Sequence, residues 1–448
     1  MKFEIDSQTR KDLDIINDNA DSRSVYSIFN NLNTSGGKNK LYELLTTPTS
    51  DIRLLNHRKE IILYLHKNKL QFDLNYHQFD FIEHYFRLNR TPLHDHFIDS
   101  FIDKLSDKLK PTNDYYLILT GIHQMLLLNE QAESFLQDIK GHNVLPPYIS
   151  ELRQNFEEFS GLIRNNTGLT KKGKLTTRSV NRLDYLFRKK AKGFIREFLD
   201  HLYTLECYIS IGKTIDKYGF NFAEYKPSGE PNIMLKGLFH PLLENPVSND
   251  FDLNSANNLC FLTGPNMAGK STFLKSIGIT VYLAHTGFPV PAAYMETTVF
   301  NGLITTINLS DDINKGYSHY YSEVRRVKDT ALKILERNNI LVIFDELFRG
   351  TNVKDAYDAT LEVINSLSKI KDCLFLISTH ITEIADKFED DKSIRYNYFD
   401  SQLQKDEPVY DYKLKKGVSS ERLGMKIIQK EKIIEILKLV IERQESEQ

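Results

Sequence analysis

Gly264-Pro265-Asn266-Met267-Ala268-Gly269-Lys270-Ser271-Thr272 follows the apolar run Leu259-Cys260-Phe261-Leu262 and leads into a stretch of helical periodicity. The string satisfies G-x-x-x-x-G-K-[ST], and a strand before it with a helix after it is the context its chemistry requires. Glycines let successive backbone N–H groups converge on phosphate oxygens, and the start of a helix adds partial positive charge. In that arrangement Lys270 bridges the β- and γ-phosphates of a nucleotide and Ser271 holds Mg²⁺. The bland alternative is a glycine-rich turn carrying a surface lysine, and the flanking strand and helix weigh against it.

Outward from this loop, the segments Ile340-Leu341-Val342-Ile343-Phe344 and Cys373-Leu374-Phe375-Leu376-Ile377 are further apolar runs bounded by polar turns. Runs of this kind suit strands buried on both faces of a parallel sheet, and helical stretches lie between them. The chain from about residue 230 onward therefore reads as α/β. The second run ends in Asp345-Glu346. An acid at a strand end can hold Mg²⁺ through water, and a second carboxylate beside it can orient or deprotonate an attacking water. The third run ends in Ser378-Thr379-His380, which puts His380 at the same carboxyl edge of the sheet, where it can sense a γ-phosphate.

Residues 1 to about 215 carry helical periodicity instead. Phe97, Phe101, Leu105 and Leu109 recur every four residues, and Ile118, Ile122, Met125 and Leu126 follow a break at Pro111-Thr112-Asn113-Asp114. With 448 residues, two or three domains are expected. The 41% apolar and 26% charged content supports packed cores. A net charge of −2 gives no global pull toward a polyanion, so any nucleic-acid site must be a local concentration of Lys and Arg. Cys207, Cys260 and Cys373 are far apart and read as small buried hydrophobes rather than zinc ligands. No run approaches the roughly 20 apolar residues of a membrane span, so no membrane role and a cytoplasmic location are expected.

Together these motifs resemble the ATPase domain of the MutS mismatch-repair family. Asn266 and Met267 are characteristic of its phosphate loop, Asp345-Glu346-Leu347-Phe348-Arg349-Gly350-Thr351 is similar to its D-E-x-x-R-G-T segment, and Ser378-Thr379-His380 to its A-T-H. His240-Pro241 and Asn249-Asp250 fall at its H-P and N-D landmarks, and residues just before N-D, here Val247 and Ser248, would contact adenine. Ser310-Asp311-Asp312, Gly316-Tyr317-Ser318 and Glu323 resemble its signature segment, by which Ser318 would reach the γ-phosphate bound to a partner subunit. Ser24 to Asn30, Thr34-Ser35-Gly36-Gly37-Lys38, Pro48 and Arg58 are similar to the opening of its lever domain.

The resemblance implies an α/β P-loop ATPase domain of ABC type at 221–448, preceded by an all-α lever or core domain at 1–220. Its cofactors would be ATP and Mg²⁺, the cation held by Ser271 and Asp345. Lys270, Glu346 and His380 would be catalytic, and the loop Gly264, Pro265, Asn266, Met267, Ala268, Gly269, Lys270, Ser271 and Thr272 would bind nucleotide. A homodimer with composite sites, acting on double-stranded DNA that is mismatched or branched, is the implied assembly.

Departures from the family pattern qualify this. The sequence opens almost at the lever-like motifs, so no separate mismatch-reading domain is expected. Phe156-Glu157-Glu158 and Phe222-Ala223-Glu224 satisfy that domain's Phe-x-Glu string by chance. Where a full clamp would stand, a basic tip at 164–196 carries Lys171, Lys172, Lys174, Arg178, Arg182, Arg188, Lys189, Lys190 and Lys192, opposed only by Asp184. These residues are read as phosphate contacts on DNA, against the alternative of a solvated helical face. Ala268 replaces a common family glycine, and Gly424-Met425-Lys426 stands where a histidine often meets adenine. The last helix, with Ile433, Ile434, Leu437, Val440 and Ile441, is either core or dimer contact. Two rivals remain: an ABC-type ATPase of other function, which lacks its L-S-G-G-Q-like signature here, and a nucleotide-gated structural protein binding branched or undamaged DNA.

Overall fold

The computed structural model describes residues 3–17, 23–93, 113–166, 175–227, 229–307, 319–389, 391–404, 407–419 and 432–446. The chain divides into two compact units, one of residues 28–47 and 56–215, the other of residues 1–27, 48–55 and 216–448. None of the described helices is long and apolar enough to cross a membrane.

Among the described residues the regular elements of the first unit are helices, including Ser35–Thr46, Tyr76–Arg87, Asn113–Asp138, Pro147–Asn166, Thr177–Tyr185 and most of Lys192–Tyr218. Pro147–Asn166 shows why: Ile149, Leu152, Phe156, Phe159 and Ile163 recur at three- and four-residue spacing and are all buried. Phe156 packs its ring against Phe72, Phe135 and Phe198 at centroid separations of 5.6–5.7 Å. A side chain so enclosed cannot insert between bases, which removes the first Phe-x-Glu string from consideration. Thr34 caps Ser35–Thr46 by accepting the Gly37 N–H at 2.9 Å. A Cβ on Gly36 would fall 2.4 Å from the Tyr203 ring, and one on Gly37 would strike the Glu206 carboxylate. The two glycines therefore let this helix start lie against Lys192–Tyr218, where buried Glu206 also accepts the Asn33 N–H at 2.7 Å.

The second unit is mixed α/β, with strands β1 (Glu224–Lys226), β2 (Asn232–Leu238), β3 (Asn249–Asn254), β4 (Leu259–Thr263), β5 (Tyr294–Thr298) and β6 (Gly302–Thr306). These are followed by β7 (Ile340–Asp345), β8 (Leu374–Ser378), β9 (Ile394–Phe399), β10 (Gln402–Gln404), β11 (Glu407–Val409) and β12 (Leu414–Lys416). One mixed sheet has the order β1-β5-β2-β3; β10 and β11 form a hairpin; the main sheet runs β12-β9-β4-β8-β7-β6. Within the main sheet β9, β4, β8, β7 and β6 are parallel and only β12 is antiparallel. Every residue of β4, β7 and β8 is buried, as continuous apolar runs covered by helices require.

Residues 3–15, read from the sequence with the helical half, pack in this unit. Glu4 bridges to Gly302 at the free edge of β6, giving that edge a partner for its backbone groups. Asp12 accepts the Thr305 hydroxyl at 2.8 Å and the Ile307 N–H at 2.9 Å. Arg326, on the helix His319–Glu336, bonds Asp6 at 2.6 Å. Burial opposes charge on Asp6, but the hydrogen bonds and charge of Arg326 outweigh it and hold the carboxyl well below the usual range.

Candidate functional site

β4, β8 and β7 are adjacent and parallel, so their carboxyl ends deliver the phosphate loop, Ser378 to His380, and Asp345-Glu346 to one edge. Thr379 N–H donates to the Leu262 carbonyl at 3.2 Å, which stitches the His380 turn to the strand entering the loop. The loop then opens the helix Lys270–Ala284. Gly264 has φ +140°, and a Cβ there would lie 2.6 Å from the Phe399 carbonyl oxygen, so neither conformation nor space admits another residue. Gly269 caps the helix at φ +103°.

Lys270 is almost fully buried and donates to the Gly264 and Pro265 carbonyls at 2.8 and 3.1 Å. Burial lowers its pKa, while Glu346 and Asp345 pull the other way. Its Nζ lies 3.9 Å from the Glu346 carboxylate, which also pairs with Arg349 at 2.9 Å and with Nε2 of His380. Burial works to raise the Glu346 pKa, but the His380 hydrogen bond, then the charges of His380, Arg349 and Lys270, bring it below the ordinary value. Glu346 and Phe348 both hold left-handed backbone, at φ +58° and +62°, unusual for such residues and located at the acid itself. Gly350 follows because its Cα lies against Tyr320, where a Cβ would sit 2.6 Å from the backbone nitrogen.

A cleft of about 520 Å³ opens beside these groups, lined among others by Asn266, Met267, Gly269, Lys270, Ser271, Thr272 and Glu346. Its far wall is the connection from β2 to β3, with Phe239, His240, Leu243, Pro246 and Val247. Buried His240 has its pKa lowered to about 4 by burial and by the charge of Lys275, with Asp14 opposing. It is therefore neutral at pH 7. Asn249 donates to the Tyr412 carbonyl at 3.0 Å and accepts the Leu414 N–H at 2.8 Å, so the N-D landmark ties this wall to the stretch before β12.

The cleft includes aromatic residues that the sequence reading did not single out: Tyr412, at φ +54°, and Phe399. Tyr410-Asp411-Tyr412 before a short strand was the available signal, but nothing local says that β12 folds back beside β9. Val247 lines the cleft; Ser248 is exposed beside it, its carbonyl held by Lys413 Nζ at 2.8 Å. Gly264, Pro265 and Ala268 shape the loop from behind, Ala268 being fully buried. Ser318, its neighbours from Ser310, and Gly424-Met425-Lys426 lie outside the described residues.

The oxygen donors read for Mg²⁺, on exposed Ser271 and on Asp345, are of the hard type that this cation would take. Among the described residues, no cluster of three or more His, Cys, Asp and Glu forms a separate metal cage.

In the basic tip, Arg178, Arg182, Lys189, Lys190 and Lys192 are exposed, while Lys171, Lys172 and Lys174 lie outside the described residues. Arg188 is a correction. It is buried and forks onto Asp184, with both bonds at 2.6 Å, and donates to the Arg90 carbonyl at 2.7 Å. Asp184 also accepts the Tyr85 hydroxyl at 2.8 Å and the Leu93 N–H at 2.7 Å. With its guanidinium committed to this buried network, Arg188 is structural and leaves the set of DNA contacts. The π-turn Leu186–Lys190 carries it inward and leaves Lys189 and Lys190 outside. Cys207, Cys260 and Cys373 are buried free thiols.

Comparison with known proteins agrees with this geometry. The profile of MutS domain V matches residues 260–447. Over 246 residues the chain is 27% identical to the DNA mismatch repair protein MSH3 of Vanderwaltozyma polyspora, covering 52% of this chain and 24% of that protein. It is 31% identical over 191 residues to the DNA mismatch repair protein MutS of Anaplasma phagocytophilum, covering 42% and 23%. It is 27% identical over 259 residues to MutS protein homolog 4 of Mus musculus, covering 55% and 27%. The chain thus spans about a quarter of the length of these relatives. Residues 260–447, which carry the phosphate loop, the paired acids and the histidine, match the MutS family through its domain V.

Proposed function

We propose that this protein is an ATP-dependent DNA-binding protein of the mismatch-repair type, which hydrolyses ATP to ADP and phosphate to control its hold on DNA. The observation that carries the reading is the meeting of Lys270, Glu346 and His380 at one end of a cleft. Its α/β unit is read as a P-loop ATPase of ABC type. The main-chain amides of Gly264 to Ser271 and the Lys270 ammonium bind the triphosphate. Ser271 and Asp345 would hold Mg²⁺, which when bound would supply positive charge against the nucleotide's phosphates. Glu346 orients the attacking water and takes its proton, and His380, in contact with Glu346, reports on the γ-phosphate. Val247 and Tyr412 flank the base.

The exposed Arg178, Arg182, Lys189, Lys190 and Lys192, with Lys171, Lys172 and Lys174, are the proposed phosphate contacts on DNA. The proposed assembly is a homodimer in which Ser318 completes the partner's site. The names of the mismatch-repair relatives support the DNA side of this reading. Its test is ATP turnover and DNA binding measured together, with homoduplex, mismatched and four-way DNA, across a salt titration. DNA-dependent change in turnover, with affinity falling steeply as salt rises, is expected. A protein whose turnover and affinity ignore every DNA would refute the DNA half and leave a plain ATPase.

A further inference from the structure

Ser378, the last residue of β8, stands opposite Asp345 in the parallel register of β7 and β8. It is fully buried, and Asp345 is nearly so. The Ser378 hydroxyl donates to Oδ1 of Asp345 and accepts the Glu346 N–H at 3.0 Å. The Ser378 carbonyl shares that N–H at 3.1 Å. Because an amide can only donate and an ionised carboxylate can only accept, the hydroxyl hydrogen must point to Asp345. One side chain therefore ties together the two neighbouring acids, one of which sits in left-handed backbone. Oδ2 of Asp345 has no hydrogen-bond partner among the described residues. The A-T-H string that this segment resembles has alanine here, and an alanine could make neither bond.

We propose that Ser378 is a positioning residue of the nucleotide site. Its hydroxyl fixes the Asp345 carboxylate so that Oδ2 is the oxygen offered to Mg²⁺-nucleotide, and it holds the backbone of Glu346 in the same frame. The inference rests on the nucleotide reading above. Ser378 is fully buried and its hydroxyl bonds the two acids, through which it acts.

The experiment compares the full chain with Ser378→Ala and Ser378→Thr. Equilibrium binding of a fluorescent ATP analogue is followed across a Mg²⁺ titration and in EDTA, beside steady-state turnover and melting temperature. For Ser378→Ala the Mg²⁺ needed for half-maximal binding is expected to rise about tenfold, as when other groups that orient a metal ligand are removed. Affinity in EDTA should stay unchanged, and kcat should fall more than KM rises. Ser378→Thr, which keeps the hydroxyl, should restore the Mg²⁺ requirement to within about twofold of the wild-type value, a small fraction of that expected rise. An unchanged Mg²⁺ requirement in Ser378→Ala overturns the proposal. So does an equal loss in EDTA, which would mark a packing defect, or an equal defect in Ser378→Thr. If the wild-type chain itself binds no nucleotide, the parent reading fails and takes this one with it. A normal wild type beside an indifferent Ser378→Ala sinks this inference alone.

Discussion

Lys270 Nζ reaches within 3.9 Å of the Glu346 carboxylate while donating to two carbonyls of its own loop, so the lysine is anchored to the main chain beside the acid. Replacing Lys270 with Ala removes both the cation and the brace across the loop. Nucleotide affinity should fall by at least about tenfold, equivalent to roughly 1.4 kcal/mol. Titration with a fluorescent nucleotide measures it, and wild-type affinity in the variant would contradict the assignment.

Glu346→Gln keeps the side chain's size and removes its basicity. ATP should remain bound while hydrolysis slows by about 10²-fold or more, the scale of a lost general base. Single-turnover chemistry is the measurement; a rate within a few-fold of wild type means that another group activates water.

Gly264→Ala places a methyl 2.6 Å from the Phe399 carbonyl at a backbone angle hostile to side chains. Strain of about 1–3 kcal/mol is expected, together with loss of nucleotide binding. Calorimetric melting and nucleotide titration should move together; a variant that melts and binds normally would rule out this account of the loop.

Arg188 and its exposed neighbours should separate cleanly. Arg188→Ala leaves Asp184 buried without its cation, which destabilises the helical unit by about 3–5 kcal/mol. Arg178→Ala and Arg182→Ala should leave melting unchanged, weaken DNA binding uniformly across sequences, and each lower the salt slope by about 1. Equal melting temperatures for all three variants would count against the buried network.

His240 and His285 are both buried, with pKa values lowered from 6.5 to about 4 by burial first of all. Burial keeps His285 neutral against its contact to the Val281 carbonyl, which works to raise the pKa, while its Nε2 accepts the Phe300 N–H. Between about pH 6.5 and 4 the unfolded chain binds protons that the folded chain refuses, so stability is present above that window and lost as pH falls through it. Up to two protons correspond to a slope near 2.7 kcal/mol per pH unit at mid-window. Denaturant titrations at pH 7, 6 and 5 test this, and flat stability would refute it.

The order of strand, loop and helix around Lys270 was legible because chemistry, not packing, dictates it: only glycine tolerates φ +140° at Gly264, and only a run such as Leu259 to Leu262 survives burial on both faces. The paired acids and His380 could be read for the same reason. Arg188 could not, because a lysine and an arginine in one basic run look alike until the π-turn sends Arg188 inward to Asp184 and its neighbours outward.

The sequence by itself determined the strand, the glycine-bounded loop and the helix start around Lys270, since backbone freedom, charge and strand burial are local properties. Tertiary structure alone decided which distant residues share the site. Parallel pairing of β4, β8 and β7 placed Ser378 against Asp345, and the return of β12 beside β9 brought Tyr412 to the cleft. Those adjacencies come from long-range hydrogen-bond register, which no short window of residues encodes.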